Sequence, residues 1–164
     1  MGSQLKLICQ AIRDILSDDE AMETLLEDTK KPGEAFIGNK PLNWKQLIKD
    51  YNLSVHHTCR EKPINKDGVV QLKGIVYIDL SRKIAPKSDL DVMDELDTFA
   101  WDILDVLYNE FPDLNGTVDE WQFVDKGIWR PSNSGTGSTI EEKLLNYICQ
   151  ITLTCDYYYS NRDY

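Results

Sequence analysis

The side chains best suited to chemistry are few in this 164-residue chain. Its only two histidines are neighbours, His56 and His57, and Cys59 follows two positions on. Adjacent strand residues point to opposite faces, so the two imidazoles cannot chelate one ion without a bulge. His57 and Cys59 would share a face, which supplies fewer ligands than a zinc site needs. A distant Asp or Glu would have to complete the set, and ordinary strand residues are the simpler reading. A cysteine nucleophile needs a positioned base, and Cys59 is the only cysteine near a histidine in sequence. Cys149 and Cys155 fall on the apolar side of an alternating strand and read as core thiols. They lie six positions apart, about 20 Å when extended, too far for a mutual disulfide. The four cysteines include no CxxC pair, which points to buried free thiols and a reducing, intracellular site of synthesis.

Other catalytic signatures are missing. There is no GxSxG elbow for a serine hydrolase. The glycine-rich Ser134-Gly135-Thr136-Gly137-Ser138 lacks the Lys-Ser/Thr of a phosphate-binding loop and reads as a flexible tip. Carboxylates are abundant, so pairs such as Asp91/Asp94 and Asp102/Asp105 read first as a solvated helix face. Their functional counterpart is electrostatic: an acidic surface that repels nucleic acid or docks a basic partner.

These residues must be carried by regular elements. Leu5, Ile8, Ile12, Ile15 and Leu16 recur at helical spacing within 4–27. Ser17-Asp18-Asp19-Glu20 matches a capping box, which predicts a break there and a second short helix ended by Lys30-Lys31-Pro32-Gly33. Residues 34–38 read as a short strand and 41–51 as a helical turn or two. Period-two alternation predicts strands over 53–60 and 69–81, joined by the polar run 61–68, as a long antiparallel hairpin. The helix at 89–111 is the strongest prediction. Ser88 is its N-cap, Asp89, Asp91 and Asp94 favour its positive end, and Pro112 stops it. Its polar face is acidic, with Asp91, Asp94, Asp97, Asp102 and Asp105. Strands follow at 117–129 and 145–157, separated by a flexible loop at 131–139 that holds no apolar residue. The expected class is α+β, a mostly antiparallel sheet with a long hairpin packed against two main helices.

Composition narrows the function without naming it. The length fits one domain over 1–164, with Gly2-Ser3 either native or a cloning remnant. Twenty-eight acidic against 18 basic side chains give a net charge of −10, which argues against a nucleic-acid binder. No apolar run is long enough to span a membrane, and no secretory signal is expected at the N-terminus. The aromatic load of the C-terminal third, with Trp121, Trp129, Tyr157, Tyr158 and Tyr159, suits both a core and an interface.

The order of elements resembles a known family. An N-terminal helix Leu7-Ile8-Cys9-Gln10-Ala11-Ile12-Arg13 precedes a short strand ending Phe36-Ile37-Gly38. A strand Gly74-Ile75-Val76-Tyr77-Ile78-Asp79-Leu80 then leads to a long acidic helix, and Ile148–Cys155 closes the chain. This resembles the tail-terminator, or tail-completion, proteins of tailed bacteriophages and phage-tail-like particles. The resemblance rests on element order and texture, and residues 39–68 are longer than in small members. It implies an α+β structural protein of the virion, assembled in the bacterial cytoplasm as a ring of six copies. Its partners would be itself, the tail tube protein, and the sheath and head-side connector proteins. It implies no catalytic residue, metal or cofactor, and DNA would pass through an acidic lumen without specific binding. A head-completion or connector-stopper protein is the nearest alternative. An acidic adaptor for a basic partner, and a hydrolase built on His57 or Cys59, are readings from other classes.

Overall fold

The computed structural model describes residues 4–18, 20, 22, 35–42, 51–66, 69–82, 89–129 and 147–158. The apolar stripe at Leu5, Ile8, Ile12, Ile15 and Leu16 winds into helix α1 (Gln4–Asp18), and all five side chains are buried. Helix α1 ends at Asp18, and Glu20 and Met22 beyond it are helical, but Ser17 is not the cap between them. It lies in the last turn of α1, where its hydroxyl donates back to the Arg13 carbonyl at 2.6 Å. A residue with helical backbone cannot serve as an N-cap, so local back-bonding displaces the capping box. Most of the predicted helix beyond it, and the helical turns over 43–50, lie outside the described residues.

Among the described residues five strands follow the two-residue period: β1 (Ala35–Gly38), β2 (Tyr51–Lys66), β3 (Val69–Arg82), β4 (Glu120–Trp129) and β5 (Ile148–Tyr158). They form one sheet in the order β1-β2-β3-β5-β4. The sheet is mixed, because β1 pairs parallel to β2 while the other three pairings are antiparallel. The polar run after Arg60 is strand rather than connection, and β2 continues to Lys66 through Pro63. Its register slips between His57 and Glu61, where four steps on β2 span two on β3. An even slip keeps the alternation of faces, so Glu61 and Pro63 beyond the bulge stay on the side that carries Leu53 and Val55.

Helix α2 (Asp89–Glu110) and α1 lie on the same side of the sheet. Helix α1 covers β1, β2 and β3, and α2 covers β3, β5 and β4. Between the layers lie Leu53, Val55, Val76, Ile78, Leu80, Cys149, Ile151, Leu153, Cys155 and Tyr157 from the strands, all buried. Gly74 sets the closeness of that contact: a Cβ there would come within 2.3 Å of Leu5 Cδ2. Pro112 follows α2 and begins the turn 112–117, where Leu114, Asn115 and Gly116 take φ of 48°, 58° and 77°. Burial of the Leu114 side chain holds that left-handed backbone in place. The Gln4 side-chain amide donates to the Thr117 carbonyl at 2.8 Å, tying the start of α1 to this turn.

Candidate functional site

Two regions gather the side chains singled out by sequence, and a third gathers residues that sequence reading passed over. The first is the outer face of α2. Its 22 residues include eight acids and no Lys or Arg. Asp91, Asp94 and Asp105 are exposed, while Asp97 and Asp102 are half-buried. Asp97 forms a close ion pair with Lys126 of β4. Loss of water first, and then the charge of Asp105, raise the Asp102 carboxyl above its ordinary range. Asp94, Trp101 and Asp105 fall within about 20° of a single line along the helix at 100° per residue, so one stripe carries all three. The Trp101 indole is 44% exposed between those carboxylates. The ammonium of Lys126 sits 5.3 Å from its ring centre, a cation–π contact.

The aromatic residues divide into two groups. Trp121 does not line a surface. It is buried, stacks on Tyr108 with ring centres 4.2 Å apart, and donates its indole N–H to the Pro112 carbonyl at 2.9 Å. Tyr157 is fully buried between the layers, with its hydroxyl donating to Glu61 Oε2 at 2.6 Å. Both belong to the core because they fall in phase with the inward residues of β4 and β5. Trp129 and Tyr158 lie on the opposite face and are about two-fifths exposed, at 41% and 40%. Tyr159 and the loop 131–139 lie outside the described residues.

The third region is on the sheet face away from the helices. His56 and His57 point to opposite faces, as strand geometry requires. His57 Nδ1 meets the Thr58 carbonyl at 2.8 Å. His56 Nε2 meets Asp79 Oδ2 at 2.9 Å, and its ring stacks on Tyr77 with centroids 5.2 Å apart. Asp79 is only 2% exposed. Its carboxylate also accepts the Leu42 backbone N–H at 3.1 Å and the Gln150 side-chain amide at 2.9 Å. Ser54, next to this group, donates to the Lys40 carbonyl. The cluster therefore pins residues 40–42 onto the polar side of the sheet. The described contacts of His56 are the Asp79 carboxylate and the Tyr77 ring, and this pair is read as a fastening. Sequence reading missed it because Asp79 sits in an apolar run, Ile78-Asp79-Leu80, and its partners come from three other segments. The one usable signal was a charged residue at mid-strand.

The Cys59 side chain lies outside the described residues, and the three described thiols are not activated. Cys9, Cys149 and Cys155 are buried and free, and burial pushes each up to about 12, overriding Arg13 at Cys9 and Lys126 at Cys149. Among the described residues no group of three His, Cys, Asp or Glu side chains could hold a metal ion. No helix among them is long and apolar enough to cross a membrane.

Compared with models of known protein families the sequence matches none, and no curated protein aligns with it significantly.

Proposed function

We propose that this chain is a structural virion protein, without catalysis of its own, that forms a ring at the head-proximal end of a phage tail tube. There it stops tube polymerisation and joins the tail to the head-side connector. The observation that carries this reading is the polar face of α2, a helix with eight acids and no Lys or Arg of its own, where Lys126 of β4 pairs with Asp97. A lumen lined by such a face repels the DNA phosphates, so DNA slides past without binding. The chain order of elements also supports it: a helix, a short strand, the β2–β3 ladder read as one long hairpin in a mostly antiparallel sheet, a long helix and two strands. The exposed outer strand β4, with Val124 bulged and 55% exposed, offers an edge for a neighbouring subunit.

The test is negative-stain imaging and light scattering of the pure protein, alone and with its tail tubes. Rings capping one end of the tubes, with tube growth stopped, are expected. A protein that stays monomeric and never binds tube ends overturns the reading, and one found at the portal instead makes it a connector-stopper.

A further inference from the structure

The charge of this molecule is split between two flanks that do not meet. The α2 stripe holds Asp94, Trp101 and Asp105, all exposed, with Asp97 and Lys126 beside it. At the other flank, β2 beyond its bulge carries Arg60 and Lys62, both exposed, followed by exposed Pro63. Lys73 stands nearby on β3, paired with Asp156 at 3.4 Å, so the cations offered at this end are Arg60 and Lys62. The stretch 60–73 holds four Lys or Arg against two acids in a chain that is otherwise strongly acidic. Pro63 and Ile64, with Lys62 and Lys73, line an open groove of about 580 Å³ at this end. Strand β2 lies three ladder steps from β4, about 14 Å at roughly 4.8 Å per step, and α2 sits over the β4 side. A lysine or arginine on β2 cannot span that distance and the helix layer as well. The complementary surfaces can meet only between molecules.

The Trp101 ring packs against Phe123 with centroids 5.3 Å apart and carries Lys126 on one side, and the 44% of it left exposed among carboxylates can seat a further cation and an apolar ring. Arg60, Lys62 and Pro63 supply both chemistries. We propose that copies of this chain join head to tail, with the Arg60–Lys62–Pro63 end of one copy seated on the Asp94–Trp101–Asp105 stripe of the next. This inference rests on the ring reading and names the contact that builds the ring. Two different surfaces meeting head to tail give a heterologous interface, the kind that closes into rings. The other side of the α2 face, which carries Asp102, would line the DNA path.

The experiment measures self-association of the full chain by light scattering and analytical ultracentrifugation at low ionic strength. Wild-type protein is expected to associate, and to come apart in about 1 M salt, where the screening length falls to about 3 Å. The pairs R60E/K62E and D94K/D105K are each expected to weaken association at least about tenfold, because like charges then face each other. Mixing the two variants restores it, since each presents the surface that the other now lacks. Circular dichroism confirms that both fold, and W101A weakens association without changing net charge. A wild-type monomer at every concentration overturns the inference. So does association that the substitutions leave unchanged, or a mixture that restores nothing. Tube-end capping is scored separately: lost capping with self-association intact counts against the ring reading and not against this contact.

Discussion

His56 reaches Asp79 diagonally across the β2–β3 ladder, 2.9 Å apart, on the side of the sheet away from α1 and α2. The carboxylate is the hub, since it also receives the Leu42 N–H and the Gln150 amide. Replacing it by an amide of the same shape puts one N–H among donors, leaving some of them buried and unpaired. Asp79→Asn is expected to destabilise the fold by about 2–4 kcal/mol. Urea unfolding measures this, and a loss below about 0.5 kcal/mol would show that the hub carries little. Self-association should be unaffected at concentrations where the variant is folded, because the hub is remote from both charged flanks.

Gly74 and Leu5 make a second close approach, between the sheet and the first turn of α1. A methyl group at Gly74 would stand 2.3 Å from Leu5 Cδ2, and Leu5 is itself buried at 1% exposure, so its side chain would have to shift within the core. Gly74→Ala is expected to cost about 1–3 kcal/mol by overpacking. Shortening Leu5 relieves the clash, so Gly74→Ala in a Leu5→Ala background should cost less than it does alone. Additive losses in chemical denaturation would show that the two positions do not compete for space.

The sequence made the apolar faces readable wherever one period governed one element. Leu5 to Leu16 and Tyr147 to Tyr157 fall inward as their spacing requires. It misled where local and tertiary demands competed. Ser17 resembles a cap but satisfies its hydroxyl within α1, and the polar residues after Arg60 are strand because β3 offers them a ladder. Trp121 and Tyr157 show the same limit. An aromatic residue suits a core and an interface equally, and only its register decides between them. The acidic face of α2 was legible because charge and periodicity coincide there. The basic end of β2 was not, since a two-residue bulge places it and no local pattern encodes that bulge.

The buried thiols predict alkaline behaviour. Cys9, Cys149 and Cys155 are raised from 9.0 to about 12 by burial, so the folded protein keeps protons that the unfolded chain releases. Below pH 9 both states are protonated and these groups give no pH dependence. Between pH 9 and 12 the unfolded state binds fewer protons, so stability falls as pH rises. The urea midpoint is expected to drop above pH 9, and more gently in Cys149→Ala. At pH 8 a thiol-reactive disulfide reagent should leave these three unmodified until denaturant is added. Rapid reaction of more than one thiol in the native protein contradicts this.

Two tryptophans on the same strand should respond oppositely to substitution. Trp121 donates to the Pro112 carbonyl and stacks on Tyr108, so it fastens β4 to the end of α2. Trp121→Phe keeps an aromatic ring but removes the donor, and is expected to cost about 1–3 kcal/mol. Trp129 lies eight residues on, across from Ile148, with 41% of its surface in water. Trp129→Ala is expected to change stability by no more than about 0.5 kcal/mol, the range typical of surface sites. Thermal and urea unfolding of the two variants side by side test the division. An equal loss at both positions would mean that Trp129 is packed as Trp121 is, and would remove it from the surface available to a partner.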